Sequence, residues 1–301
     1  MCKLNVDGLI AAPFTPMNED GSLNLSVVEK YAAKLKADGL AGVFICGTTG
    51  EGMLMTDAER KLVAEEWLKY RSDDFKVIVH VGSTSYVSAA ELAAHAQERG
   101  ADAVGSMGPV FLPPSDVDSL VDYCKHIAAA CENIPFYYYH MPATSNVRVS
   151  MKEFLLKADP VIPNLAGIKF THFDLMEMQQ CQAVCDGKFE IMHGYDEILL
   201  CGLSLGAKAA VGSTYNYLAS VYQDIRNAYS EGNISLAQSL QAYSVKVVEV
   251  LIQFGGGVRA GKEILNLIGI PCGPCRIPIK PFTKEESFRL RLALEEIDFF
   301  S

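Results

Sequence analysis

The chain contains no apolar run long enough to cross a bilayer. Its N-terminal stretch Met1–Asp7 is broken by Asn5 and Asp7, so it lacks the apolar core of a secretory signal. Positive charge is also scarce: 26 Lys and Arg stand against 36 Asp and Glu, a formal charge of −10. That balance argues against nucleic acid or an anionic membrane as partner. A small anionic substrate remains compatible, because a local pocket can oppose the global field. A disulfide framework is missing too. Nine cysteines, an odd number without regular spacing, read as free thiols in a reducing cytoplasm. Linkers, low-complexity tracts and internal repeats are likewise absent, so one catalytic unit is expected.

What is present is an alternation of short apolar runs and amphipathic stretches. Expected strands are Gly8–Pro16, Gly42–Gly47, Val77–Val81, Ala103–Met107, Pro135–Tyr139, Leu165–Phe170, Glu190–His193 and Ala209–Gly212. The helices expected after them are Leu25–Ala37, Asp57–Tyr70 (capped by Thr56), Ser85–Arg99, Ser115–Cys131, Ser150–Ala158, Asp174–Cys185, Glu197–Leu205 and Tyr217–Tyr229. Eight strands, each followed by a helix, predict an α/β fold, the closed (β/α)8 TIM barrel. A doubly wound sheet is the alternative, but no G-x-G-x-x-G follows the first strand. Three further helices, Ser235–Phe254, Ala260–Leu267 and Glu285–Phe299, form a C-terminal helical extension. The expected division is a catalytic barrel over 1–229 and the extension over 230–301.

Three local patterns invite chemistry they do not support. Cys272-Gly273-Pro274-Cys275 has redox-motif spelling but follows a helical segment and runs into Arg276-Ile277-Pro278. Cys181 and Cys185 stand i, i+4 on an expected helix, with no histidine pair nearby to complete a zinc site. Gly256-Gly257-Val258-Arg259-Ala260-Gly261-Lys262 is similar to a Walker A loop, yet Glu263 occupies the Ser/Thr position and no strand precedes it. A loop opening a helix is expected there.

In such a barrel the functional groups collect at the carboxyl ends of the strands. Lys169 sits in the apolar run Leu165-Ala166-Gly167-Ile168-Lys169-Phe170. Burial there would favour a neutral, nucleophilic amine suited to Schiff-base formation. A lysine snorkelling from a strand end fits the same letters. The second strand ends in Gly47-Thr48-Thr49-Gly50-Glu51-Gly52, either an anion-binding loop or an ordinary turn. Alternation places Tyr137 and Tyr139 on one face of the fifth strand and Tyr138 on the other. A tyrosine near an amine is a candidate proton carrier or simply packing, and His140 is an alternative base. The sixth strand ends at Thr171 and His172, the seventh at Gly194-Tyr195-Asp196-Glu197, and the eighth at Gly212-Ser213-Thr214-Tyr215-Asn216. The adjacent acids either bind a polyhydroxylated ligand or cap a helix.

Taken in order, Gly-Thr-Thr-Gly-Glu, Tyr-x-x-Pro, Gly-Ile-Lys-Phe, Gly-Tyr-Asp-Glu and Gly-Ser-Thr-Tyr-Asn resemble the N-acetylneuraminate lyase branch of the dihydrodipicolinate synthase superfamily. The resemblance runs from Ala12-Pro13-Phe14-Thr15-Pro16 to Gly273-Pro274-Cys275-Arg276-Ile277-Pro278. It implies a class I aldolase mechanism without metal or diffusible cofactor, yielding pyruvate and N-acetylmannosamine. Lys169 would form the Schiff base and Tyr139 would relay a proton. Thr48 and Thr49 would hold the carboxylate of pyruvate. Thr171, Gly194, Asp196, Glu197 and Ser213 would bind the polyol chain. The resemblance also implies a homotetramer acting on a small molecule, and the free thiols suggest a cytoplasmic location.

Dihydrodipicolinate synthases carry an arginine shortly after the Tyr-Asn-x-Pro motif. Met141-Pro142-Ala143-Thr144-Ser145 has none, and Arg148 comes too late. With Gly-Tyr-Asp-Glu in place of Gly-Asp-Asp on the seventh strand, this favours a lyase over a synthase; another pyruvate-dependent aldolase, such as a 2-keto-3-deoxy sugar acid aldolase, is the alternative. Two departures stand out: His140 replaces the usual bacterial asparagine, and Pro109-Val110-Phe111-Leu112-Pro113 lacks the interface tyrosine of many relatives. A non-catalytic sugar-acid-binding barrel is the alternative from another class, but binding alone needs neither the amine nor the tyrosine. A thiol oxidoreductase using Cys272 and Cys275 is a more distant one.

Overall fold

The computed structural model describes residues 3–300. Met1 and Cys2, part of the N-terminal stretch read above, lie outside the described residues. Eight parallel strands close into a barrel in sequence order: β1 (Gly8–Ala11), β2 (Gly42–Ile45), β3 (Lys76–His80), β4 (Ala103–Met107), β5 (Phe136–His140), β6 (Leu165–Phe170), β7 (Glu190–His193) and β8 (Ala209–Gly212). β1 pairs with β8 to complete the ring. This is the (β/α)8 TIM barrel. The helices between strands are α1 (Val28–Ala37), α2 (Asp57–Leu68), α3 (Tyr86–Glu98), α4 (Val117–Ala129), the short α5 (Pro142–Ser145), α6 (Met151–Ala158), α7 (Leu175–Ala183) and α8 (Leu199–Ser204). α9 (Tyr215–Ser230) follows β8, and α10 (Ile234–Gln253), α11 (Gly256–Leu267) and α12 (Lys284–Glu295) form the C-terminal extension.

Boundaries differ from the sequence reading where local chemistry intervenes. β1 stops at Ala11, because Pro13 and Pro16 have no N–H for the ladder. Helix α2 begins after Thr56, whose side chain and that of Glu59 form a complete capping box. Helix α7 ends at Ala183. Cys185 then takes a left-handed φ of 52°, so it is not on one helix with Cys181. All eight cysteines among the described residues are free. Burial pushes the Cys272 and Cys275 thiols up to about 12, which opposes thiolate chemistry. Helix α11 begins at Gly256, so most of the Walker-like segment is helix rather than loop.

The core divides into two shells. Leu9, Val43, Val77, Val104, Tyr138 and Ile168 face outward into the layer between sheet and helices. Ile10, Phe44, Ile78, Tyr137, Tyr139, Met192 and Val211 fill the barrel interior. On β6 this alternation slips. Phe136 pairs with Leu165 but Tyr137 pairs with Gly167, so β6 carries one extra residue. Ala166 packs in the interior, Ile168 and Phe170 in the outer shell, and Lys169 again against interior rings. Two inward residues three apart cannot arise from strict period two. The bulge at Ala166–Gly167 re-aims Lys169 into the barrel, a recurrent use of bulges beside active sites. Only glycine fits there, because a Cβ on Gly167 would stand 1.8 Å from Glu190 O.

Candidate active site

At the carboxyl end of the barrel lies a cavity of about 310 Å³. Its lining includes Lys169, Tyr139, Thr48, Thr49, Thr171, Gly194, Asp196, Glu197 and Ser213, every residue to which the family resemblance gave a role. A larger cavity of about 480 Å³ opens at the opposite end, among Lys3, Asp7, Glu190 and Lys208. That end serves stability rather than chemistry in this architecture.

Lys169 is 5% exposed, and no carboxylate pairs with it among the described residues. Its Nζ lies 3.9 Å from the centroid of the Tyr139 ring and 4.4 Å from that of Phe44. Two ring faces thus pack against the Nζ, and no salt bridge ties it down. Tyr139 is the register partner of Lys169 on the neighbouring strand. Its hydroxyl donates to Met141 Sδ at 3.0 Å. A thioether is a weak acceptor, so the phenol is available to a better one. Thr48 Oγ1 also approaches Met141 Sδ, at 3.9 Å.

The β2–α2 loop carrying Thr48 and Thr49 folds tightly. Gly52 N donates to Gly47 O at 3.0 Å and Glu51 N to Thr48 O at 3.1 Å. A Cβ at Gly52 would meet Cys46 O at 1.8 Å, which explains that glycine. Thr15 Oγ1 donates to Gly50 O at 2.6 Å and fastens the loop to the segment that follows β1.

Across the cavity, Thr171 Oγ1 is buried with no hydrogen-bond partner. A Cβ at Gly194 would lie 2.0 Å from that oxygen, so the glycine leaves the hydroxyl its space. Such an orphan donor is costly unless something binds it. Asp196 is 5% exposed and accepts from Thr214 N at 2.8 Å and from Thr214 Oγ1 at 2.6 Å. Burial raises its carboxyl, while those bonds and the nearby Lys169 charge oppose the shift. Glu197 is raised by burial and then by the Asp196 charge. One acid therefore braces β8 against the preceding turn, and its neighbour remains for a ligand.

His140 does not reach the cavity. It faces the outer shell, 5.1 Å from the Phe170 ring and 5.5 Å from that of His172. Burial holds its imidazole down at about 3, although Glu177 Oε2 stands 3.8 Å away. Both ring nitrogens lack hydrogen-bond partners. A neutral imidazole on the wrong face is no base for this site, and its position follows from strand parity with Tyr139.

The sequence reading missed the wall supplied by the extension. Val248, Leu251 and Ile252 of α10 and Gly257 and Val258 of α11 line the same cavity. Only the glycine pair at the start of α11 hinted at a close approach. Nothing in the sequence singled out Phe44, whose ring lies beneath Lys169. Among the described residues no cluster of His, Cys, Asp and Glu could hold a metal ion, and no helix is long and apolar enough to cross a membrane.

Residues 5–297 match the model of the dihydrodipicolinate synthetase family. A human protein named N-acetylneuraminate lyase is 39% identical over 99% of this chain and 95% of its own length. A Xenopus laevis N-acetylneuraminate lyase A is 42% identical, covering 90% of each chain. The solved N-acetylneuraminate lyase (sialic acid aldolase) of Aliivibrio salmonicida superposes with a TM-score of 0.95 at 40% identity, covering 98% of both chains. That of Proteus mirabilis gives 0.94 at 39% identity, over 98% of this chain and 99% of its own. A family match over nearly the whole sequence, on a barrel of the same closure, places the protein: it belongs to the dihydrodipicolinate synthetase family.

Proposed function

We propose that the protein is a class I aldolase that cleaves N-acetylneuraminate to pyruvate and N-acetylmannosamine. The observation that carries this reading is the unpaired, buried Lys169 amine at the floor of the strand-end cavity, 3.9 Å from the centroid of the Tyr139 ring. Relatives near 40% identity over the full chain bear the lyase name, which sets the substrate class.

In the proposed reaction the Lys169 amine adds to the C2 ketone of the open-chain sugar acid, and water leaves to give an iminium. The Tyr139 oxygen relays the proton away from the C4 hydroxyl. As the C3–C4 bond breaks, its electron pair moves into the iminium and forms an enamine, while C4 becomes the aldehyde of N-acetylmannosamine. Protonation at C3 and hydrolysis then return pyruvate and free Lys169. Thr48 and Thr49 hold the carboxylate. Thr171, Gly194, Asp196, Glu197 and Ser213 surround the hydroxylated chain, with Asp196 acting mainly through Thr214.

The proposed working unit is the barrel over 1–229 with the extension over 230–301 closing one wall. We also propose a homotetramer, consistent with Phe111 and Leu112 standing 82% and 76% exposed on the β4–α4 loop. A cytoplasmic location fits the unpaired cysteines. Incubation with N-acetylneuraminate should release pyruvate and N-acetylmannosamine in equal amounts. An enzyme that forms a pyruvate adduct yet releases no N-acetylmannosamine belongs instead with another aldolase of the superfamily.

A further inference from the structure

Lys262, the lysine of the Walker-like segment, spends its amine inside the protein. It is 1% exposed and donates to Glu51 Oε1 at 2.7 Å, across 211 residues of sequence. The Glu51 side chain is fully buried. Its second oxygen accepts from Arg276 N at 2.6 Å. The Arg276 guanidinium in turn bonds Glu59 Oε1 at 2.6 Å and Leu54 O at 2.9 Å, so the far side of the same loop is tied to the extension.

Glu51 ends the Thr48–Thr49 loop with a φ of 56°, a region that residues with a Cβ rarely adopt. That conformation persists only when its surroundings enforce it. Here the backbone bonds of the turn and the Arg276 amide are joined by a grip on the carboxylate from α11, the helix that also places Gly257 and Val258 on the cavity wall. A buried carboxylate deprived of its cation must reach water or take up a proton. Either outcome releases the end of the loop and shifts the two threonines relative to Lys169.

We propose that Lys262, acting through Glu51, is a positioning residue that fixes the Thr48–Thr49 loop for the substrate carboxylate. The inference rests on the pyruvate-aldolase reading and extends it to a residue that touches no substrate. Carboxylate affinity then depends on Lys262, whereas the reactivity of the Lys169 amine does not.

The test is borohydride trapping on the full chain across a range of ketone concentrations, with pyruvate and with hydroxyacetone, a ketone without a carboxylate. In Lys262→Met the half-saturating pyruvate concentration should rise about tenfold or more, as expected for an uncompensated buried charge, while that for hydroxyacetone stays within about twofold. The neutral pair Glu51→Gln/Lys262→Met should recover pyruvate to within about threefold of wild type, since no charge is left unpaired. If Lys262→Met does not accumulate as folded protein, Glu51→Gln, which leaves buried Lys262 without its carboxylate, carries the same prediction of about tenfold. Unchanged pyruvate saturation, or equal losses for both ketones, overturns the positioning role while leaving the aldolase reading intact. Absence of any pyruvate adduct on the wild-type protein overturns both.

Discussion

Tyr139 and Lys169 are register partners on adjacent barrel strands, and the lysine amine lies 3.9 Å from the centre of the tyrosine ring. The contact packs the amine against the ring, while the phenolic hydroxyl of the same side chain bonds Met141 Sδ instead. The proposed mechanism therefore separates two roles: the ring holds, and the hydroxyl moves a proton.

That separation is testable with Tyr139→Phe. The variant keeps the ring against Lys169 and Phe44 and loses only the hydroxyl. Its kcat for sugar cleavage should fall on the order of 10²- to 10⁴-fold, the range for a lost general acid–base group. Pyruvate trapping on Lys169 should persist. Loss of trapping in parallel would assign Tyr139 to holding the amine alone.

The second prediction concerns the bulge. In Gly167→Ala the new methyl would meet Glu190 O at 1.8 Å, so β6 and β7 must separate or slip. Unfolding free energy should drop by about 2 kcal/mol or more, as for other steric conflicts in a packed core. Trapping at Lys169 should fall in whatever folded protein remains. A stable variant with full trapping would show that the bulge does not aim the lysine.

His140 provides a pH test of the outer shell. Burial, and then the charge of His172, depress its folded-state pKa from 6.5 to about 3. The unfolded chain therefore binds a proton below about pH 6.5 that the folded chain refuses. The resulting stability is complete above the unfolded value and is lost progressively as pH falls from about 6.5 toward 3. His140→Gln should flatten the unfolding profile by on the order of 2 kcal/mol between pH 7.5 and 5. An imidazole signal that titrates near 6.5 in the native protein would contradict this account.

Ser213 lines the cavity; its backbone amide helps hold the Asp196 carboxylate, but its hydroxyl takes no part in the Asp196–Thr214 bonds. Ser213→Ala should therefore raise KM for the sugar acid by about five- to tenfold, the scale of one hydrogen bond, and leave pyruvate trapping unchanged. Asp196→Ala should lower thermal stability as well, because Thr214 loses its acceptor. Equal effects of Ser213→Ala on sugar cleavage and pyruvate trapping would assign the serine to folding.

Much of this was legible in the sequence because strand ends are local. The apolar run around Lys169 and the glycine-rich ends of β2, β7 and β8 announced both the barrel and the cavity's polar rim. Parity along Phe136–His140 also separated Tyr139 from Tyr138. What stayed hidden is non-local. The bulge that turns Lys169 inward depends on how β6 meets β5, and period-two reasoning started from Ala166 would have pointed that lysine outward. The Glu51–Lys262 pair joins positions 211 residues apart, and no spacing rule connects them. The apolar wall from α10 and α11 was read as helix packing, since an inward-facing valine looks the same in either setting.

The most direct test of the central claim is reductive trapping with pyruvate and borohydride, followed by peptide mapping of the wild type and of Lys169→Met. The account predicts one carboxyethyl group on Lys169 in the wild type, none anywhere in Lys169→Met, and a variant at least as stable as its parent, since a buried polar group without an ion-pair partner has been replaced by an apolar one. An unmodified Lys169, or a variant that still cleaves the sugar acid, would contradict it.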